Sequence, residues 1–148
     1  LEMSTGRQSG SYHYELYYNG NSVDDPNKEL ITTIGVKSIV TPPNDDTDKM
    51  TKGVHMVRGY AWSGAGAISN VDVSVDGGDT WHTAHIEAPR DRYMWVRWSY
   101  QWNAEKAGNY NIMSRATDEV GRVQSREPRY NNMRKNFSAI VGYPITVE

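Results

Sequence analysis

The sequence predicts an all-β protein with an immunoglobulin-like antiparallel β-sandwich fold. Apolar and polar residues alternate with a period of two along several segments, as in the triplet Val71, Val73 and Val75. Glycine-rich and Asp-Gly turns separate these segments, and no segment sustains a helical period over three turns. Several short strands with turns between them are typical of a two-layer sandwich of this length.

The first 35 residues differ from the rest of the chain. Residues 1–11 are small and polar, residues 12–18 are rich in aromatic side chains, and residues 19–27 favour turns. We interpret residues 1–35 as a tail or linker that lies against the domain, and residues 36–148 as the domain itself.

Two strands are expected at the start of the domain. The first covers residues 36–40 and is ended by the two prolines at 42 and 43. The second covers residues 54–62, where one face carries the side chains Val54, Met56, Arg58, Tyr60 and Trp62.

A hairpin is expected next. The half-buried strand at 71–75 leads into Asp76–Gly77–Gly78–Asp79, where glycine supplies the positive φ angles of a tight turn. A returning strand is predicted at 81–86. His82 and His85 would project to opposite faces of that strand, so they are not expected to share a metal ion.

The segment from Tyr93 to Trp102 carries aromatic residues at both odd and even positions. We expect one side of this strand to face the core and the other to face a second surface. A strand at 110–118, a basic turn-rich segment at 122–135 and a last strand at 140–147 complete the predicted elements.

Composition excludes several functions. The 148 residues suit one domain, and a formal charge of −2 argues against a nucleic-acid partner. No apolar stretch approaches the roughly 20 residues of a membrane span, so no membrane partner is expected. The chain has no cysteine, which rules out a disulfide, a thiolate metal ligand and a cysteine nucleophile.

No catalytic or metal-binding residues are predicted. No serine lies in a Gly-x-Ser-x-Gly elbow, and the acidic run at 44–48 lacks the glycine and glutamate that complete a calcium loop. Six cations between Arg115 and Lys135 permit two interpretations, a solvated loop or a small positive surface for an oxyanion.

Four segments, in matching order, resemble a known family. They are residues 36–42 (VKSIVTP), 58–64 (RGYAWSG), 71–81 (VDVSVDGGDTW) and 114–124 (SRATDEVGRVQ). Together they resemble the C-terminal dimerisation domain of molybdenum-cofactor oxidoreductases of the sulfite oxidase type. This group includes bacterial sulfite dehydrogenases and the sulfane dehydrogenase subunit of sulfur-oxidising bacteria. The resemblance covers residues 36–147.

This resemblance implies a domain that forms a homodimer and follows a larger domain holding molybdopterin. The parent enzyme would oxidise sulfite or a related sulfur oxyanion by two electrons and pass them to a c-type cytochrome. The chain alone would hold no cofactor and would not be catalytic. Bacterial relatives are usually exported, which implies a periplasmic location.

The resemblance also implies roles for individual residues. Tyr14 lies where the family carries a tyrosine near the substrate, and Arg134 matches its substrate-binding arginine, although Lys135 replaces the usual glycine. For the dimer interface, the doubly aromatic strand suggests Tyr93, Trp95 and Arg97. The tryptophan and tyrosine content suggests an alternative, a carbohydrate-binding β-sandwich. A general protein-interaction module is a third hypothesis, for which no particular feature of the sequence argues.

Overall fold

The structure is a computed structural model, and it describes residues 17–22, 24–42, 49–87, 91–131 and 135–148. Tyr14, Arg134 and the acidic run at 44–48 lie outside the described residues. All regular secondary structure of the described residues is β-structure, arranged as two packed sheets and a small hairpin. The predicted all-β sandwich is confirmed.

The described residues form eleven strands. They are β1 (Tyr18–Asn19), β2 (Glu29–Leu30), β3 (Lys37–Thr41), β4 (Lys49–Met50), β5 (Gly53–Trp62), β6 (Ile68–Ser74), β7 (His82–Thr83), β8 (His85–Ile86), β9 (Val96–Ala104), β10 (Gly108–Asp118) and β11 (Gly142–Val147). One sheet has the order β4-β11-β10-β6-β7 and the other the order β3-β5-β9-β8. Pairing is antiparallel except between β4 and β11.

The core lies between the two sheets and follows the alternation seen in the sequence. Val71 and Val73 of β6 are fully buried against the other sheet, as are Ile112 of β10 and Trp98 of β9. Gly59 faces Trp98 across β5 and β9. A Cβ atom on Gly59 would lie 2.2 Å from the Trp98 ring, so glycine is what lets the indole pack against the strand.

The prediction of a strand from Tyr93 to Trp102 is wrong about where the strand begins and about the aromatic character of one of its faces. Tyr93 has a φ of 64° and belongs to a turn, and the strand begins at Val96. Val96 and Trp98 face the core, but Arg97 and Gln101 on the opposite face are polar and exposed. Tyr93 and Trp95, the aromatic residues predicted for that opposite face, therefore precede the strand.

The predicted strand at 81–86 is in fact two short strands. His82 lies in β7 of the five-stranded sheet, and His85 lies in β8 of the four-stranded sheet. Ala84 between them is buried, and its N–H donates to the Val71 carbonyl at 2.8 Å. The chain crosses from one sheet to the other at this residue.

A buried glutamine links the two sheets. The Gln124 side-chain oxygen accepts from the N–H groups of Ser38 and Ala116, and its amide nitrogen donates to the carbonyls of Ser38 and Ala139. Ser38 belongs to β3, whereas Ala116 belongs to β10 of the other sheet. Since both ends of the amide are paired, burying it leaves no polar group unsatisfied.

The turn after β6 is organised by one carboxylate. Asp76 accepts hydrogen bonds from the Ser74 hydroxyl, from the N–H and hydroxyl of Thr80 and from the N–H of Asp79. The hydrogen bond from Ser74 and those from Thr80 hold the pKa of Asp76 well below its ordinary value. Gly77 and Gly78 have φ angles of 79° and 100°, as the sequence predicted for a hairpin turn.

Candidate association face

The outer side chains of β5, with Trp95 beside them, form an apolar area on the outer side of the four-stranded sheet, and we call it the apolar face. Val54, Met56, Arg58, Tyr60 and Trp62 of β5 all point outward, since Val57, Gly59 and Ala61 between them are buried. Val54 is 62% exposed and Tyr60 is 37% exposed. Large apolar side chains on the outer side of a sheet are expected where a second surface covers that sheet.

A pair of stacked indoles stands at one end of this face, and we call it the indole stack. The rings of Trp62 and Trp95 lie 4.3 Å apart at an interplanar angle of 10°. Tyr60 contacts the same stack, with its ring centroid 6.2 Å from that of Trp95. Trp95 covers Trp62 and remains 60% exposed on its other side.

A shallow recess lies beside the indole stack. Its rim is formed by Thr41, Arg58, Tyr60, Glu87 and Arg97, and its volume is about 170 Å³. Gly59 and Trp98, which point into the core, line its floor.

Two arginines stand on the rim of the recess. Arg97 Nε donates to Glu87 Oε2 at 3.0 Å. Among the residues that the structure describes, the Arg58 guanidinium has no hydrogen-bond or ion-pair partner.

The three residues predicted for the interface lie at this face or next to it. Arg97 is the cross-strand partner of Tyr60, and Trp95 stacks on Trp62. Tyr93 is 65% exposed on the preceding turn. Sequence reasoning placed Tyr60 and Trp62 on one face of β5 but did not bring them together with Trp95 and Arg97, because that needs the register between β5 and β9.

The outer face of the five-stranded sheet is different, and we call it the polar face. Asp72 of β6 binds Arg115 of β10 at 3.0 Å and also accepts from Asn70 and Thr83. The Arg115 guanidinium lies 4.5 Å from the centre of the Trp81 ring. In the described strands of this sheet, no large apolar side chain on this face is exposed.

The described cations between Arg115 and Lys135 are held by acceptors and ring faces of the chain itself. Arg122 binds Asp118 and the Ser63 hydroxyl, and Arg129 binds Glu29 at 2.8 Å. Arg126 donates to the Gly77 carbonyl. Burial alone would raise the pKa of Asp118, but the hydrogen bonds from Arg122 and Ser63 outweigh it and lower that pKa.

A cleft separates the N-terminal segment from the basic segment. Its volume is about 420 Å³, and it is lined from both sides, for example by Thr33 and Ser125. Beside it, Lys135 Nζ donates to the Tyr17 hydroxyl at 2.7 Å. The cleft is closed at one end by Gly35, whose N–H donates to the Asn136 side chain at 2.9 Å.

The described residues hold no group of three or more His, Asp or Glu side chains that could ligate a metal ion. The full sequence contains no cysteine to supply a thiolate ligand. These residues do not fit a molybdenum site. Within the same described part of the chain, no helix is long and apolar enough to cross a membrane.

This chain matches a known protein family and is similar to two groups of enzymes. The family described as Mo-co oxidoreductase dimerisation domain matches residues 28–140. Mitochondrial sulfite oxidase of Rattus norvegicus is 34% identical over 110 residues, which are 70% of this chain and 20% of the rat protein. Nitrate reductase [NADH] 2 of Phaseolus vulgaris is 31% identical over 117 residues, which are 70% of this chain and 13% of that protein.

A solved structure is similar over most of the chain. The crystal structure of the sulfane dehydrogenase SoxCD from Paracoccus pantotrophus superposes with a TM-score of 0.75 and 28% identity. The match covers 91% of this chain and 36% of that chain. This chain thus spans about a fifth of the length of the sulfite oxidases and about a third of the SoxCD chain that it matches.

Proposed function

This chain belongs to the Mo-co oxidoreductase dimerisation domain family, and on that premise we propose that it joins two copies of a longer parent protein through its apolar face. The two copies associate about a two-fold axis, so that the same surface is used twice. Trp95 and Arg97 lie within the interface, and Tyr93 lies at its edge.

The observation that carries this proposal is the exposure of the β5 side chains. The outer face of β5 carries the large apolar side chains of the strand, but only the inner face has a partner sheet. Burying apolar surface stabilises association by about 25 cal/mol for each Å² removed from water. When two copies place their apolar faces against each other, this apolar surface is removed from water on both copies.

Sedimentation velocity of the chain over a range of concentrations tests this proposal. We expect a dimer for the unmodified chain and a monomer for Trp95→Lys, since an ammonium group at the interface would be buried without an unpaired acidic partner. The matched control is Asn109→Lys on an exposed position of β10, which should remain dimeric. A dimer that survives Trp95→Lys would contradict the role of the apolar face.

We also propose that the parent protein is a molybdenum-cofactor oxidoreductase of the sulfite oxidase type. Its substrate is sulfite or a related sulfur oxyanion, its electron acceptor is a c-type cytochrome, and its location is the periplasm. The relatives named sulfite oxidase and sulfane dehydrogenase support this proposal. Molybdopterin belongs to another part of the parent, because the residues of this chain do not fit a molybdenum site.

The cleft next to the N-terminal segment supports a contact with that cofactor-binding part. We propose that residues 1–35 form the connection to it, and that Tyr14 and Arg134 reach its substrate site. Tyr17 and Lys135 contact each other beside the cleft. Tyr14 and Arg134 are respectively three positions and one position from that pair in the sequence. Exposed Ile34 and Phe137 flank the same region and offer apolar contact area.

Expression of the complete parent protein tests this second proposal. We expect molybdenum to co-purify with the parent and sulfite to reduce an added c-type cytochrome. Arg134→Met in the parent should raise the KM for sulfite, whereas Arg126→Met, which removes a bond to the turn at Gly77, should leave the KM unchanged. A parent that binds no molybdenum would contradict the assignment.

A further inference from the structure

The apolar face carries a projection and a recess side by side, and their arrangement defines how two copies can meet. The projection is the indole stack, in which Trp95 leaves one ring face to solvent. The recess begins at Tyr60, the residue that also contacts Trp95. In a two-fold interface each feature must meet the complementary feature of the other copy.

We propose that Trp95 of each copy seats in the recess of the other copy, with Tyr60 beside the two-fold axis. This inference rests on the proposed dimer and specifies its geometry. An axis that lies in the interface plane and exchanges projection and recess must pass midway between them. Tyr60 occupies that midpoint, so it packs against its own counterpart.

The charges around the recess fit an indole as the occupant. Arg58 stands on the rim with no partner among the residues that the structure describes. A guanidinium beside an aromatic ring gains a favourable cation–π contact, and the contact is stronger when water is excluded. The same chain shows this pairing on its polar face, where Arg115 lies over Trp81.

The second rim arginine is already neutralised. Arg97 is bound to Glu87, so seating an apolar ring against this pair buries no unpaired charge. The fully buried Trp98 ring lines the floor of the recess beside the backbone of Gly59. The recess therefore offers an indole a ring contact on its floor and a guanidinium on its rim.

Single-cysteine crosslinking tests this geometry, and the chain suits the method because it has no cysteine of its own. Two cysteines form a disulfide only when their Cα atoms lie within about 7 Å. Tyr60→Cys, next to the axis, should give a covalent dimer under mild oxidation. Met56→Cys is the matched control on the same strand and face.

The control discriminates because of strand geometry. The indole stack lies at Trp62 and the recess at Arg58, so the axis that exchanges them crosses β5 at Tyr60. Met56 lies four residues from Tyr60, or about 13 Å along β5, and its distance from its own counterpart is therefore about twice that. Met56→Cys should therefore remain uncrosslinked. Efficient crosslinking by Met56→Cys but not by Tyr60→Cys would overturn the proposed seating, although the dimer itself would stand.

A second variant tests the recess without a cysteine. Thr41→Trp places an indole at the exposed rim and should fill the recess from the same copy, so we expect the dimer to dissociate at least tenfold more readily. Thr41→Ser should have no effect. Unchanged association of a folded Thr41→Trp variant would contradict the seating of Trp95, whereas a monomeric unmodified chain would contradict the proposed dimer itself.

Discussion

The two outer faces of the sandwich differ in how their side chains are satisfied. On the polar face, charged and hydrogen-bonding groups pair within the sheet, as Asp72 does with Arg115. On the apolar face, Trp62 and Trp95 pair with each other, but a wide apolar area and the Arg58 guanidinium remain without partners among the described residues.

The contrast shows what distinguishes a face that meets water from one that meets protein. Water forms hydrogen bonds with exposed polar groups, so these groups are stable at a surface. Exposing large apolar groups to water costs free energy that water does not offset. The side chains of the polar face are satisfied by one another and by water. In the proposed dimer, the side chains of the apolar face are satisfied only when a second surface removes Tyr60 and Trp95 from water.

The first prediction concerns the buried glutamine that links the two sheets, so its removal should affect both faces. Gln124→Ala should lower the free energy of unfolding by about 3 kcal/mol, because it leaves buried N–H and carbonyl groups of both sheets without partners. Chemical denaturation measures the change. Gln101→Ala, at an exposed position of β9, serves as the control. A loss below about 1 kcal/mol for Gln124→Ala would contradict this role.

The second prediction separates the faces with one tryptophan on each. Trp62→Ala removes the base of the indole stack and should weaken the dimer about 100-fold, as expected for an aromatic residue that carries much of the binding energy of an interface. Trp81→Ala on the polar face should change dimer affinity less than twofold. Sedimentation equilibrium compares the two variants. Equal effects on association would remove the distinction between the faces.

The third prediction concerns the turn at the edge of the polar face. Asp76→Asn should lower stability at neutral pH by about 2 kcal/mol, because the amide NH₂ faces N–H donors that the carboxylate accepted. Asp79→Asn is the control, since the Asp79 carboxylate accepts no hydrogen bond from a described residue.

The pH dependence of this variant follows from the lowered pKa of Asp76. A lowered pKa in the folded state stabilises the protein above the ordinary carboxyl value of 3.8, and this contribution is lost as the pH falls. The difference in stability between the unmodified chain and Asp76→Asn should therefore narrow below pH 3.8. A difference that stays constant down to the lowest pH at which the protein folds would contradict this account.

The fourth and smallest effect is expected within the polar face. Asp72→Asn should lower stability by about 1 kcal/mol, because the pair with Arg115 is only partly buried. The dimer should be unaffected. Thermal unfolding measures the first result, and sedimentation measures the second. A weaker dimer in this variant would indicate that the polar face also takes part in association.

Much of this architecture could be predicted from local patterns. The alternation at Val71 and Val73 and the glycines at 77 and 78 determine their strand and turn through the geometry of neighbouring residues. The resemblance of four segments to the dimerisation-domain family predicted the family that residues 28–140 match. These features need no knowledge of which strands become neighbours.

Other features depend on distant partners and were missed. The break at Ala84 arises because its N–H pairs with Val71 while the chain crosses between sheets. The role of Gln124 depends on Ser38, which is 86 positions away. The recess requires the register between β5 and β9, which alternation alone does not give. Tyr93 has a positive φ, which a bulky residue seldom adopts, so no residue pattern in the sequence predicted its turn.

Hydroxyl-radical labelling of the unmodified chain, at concentrations below and above dimer formation, tests the central claim most directly. The account predicts that Met56, Tyr60 and Trp95 lose labelling as the dimer forms, while Trp81 and Met113 on the polar side keep theirs. Loss of labelling at Trp81 and Met113, with Tyr60 and Trp95 unchanged, would contradict it.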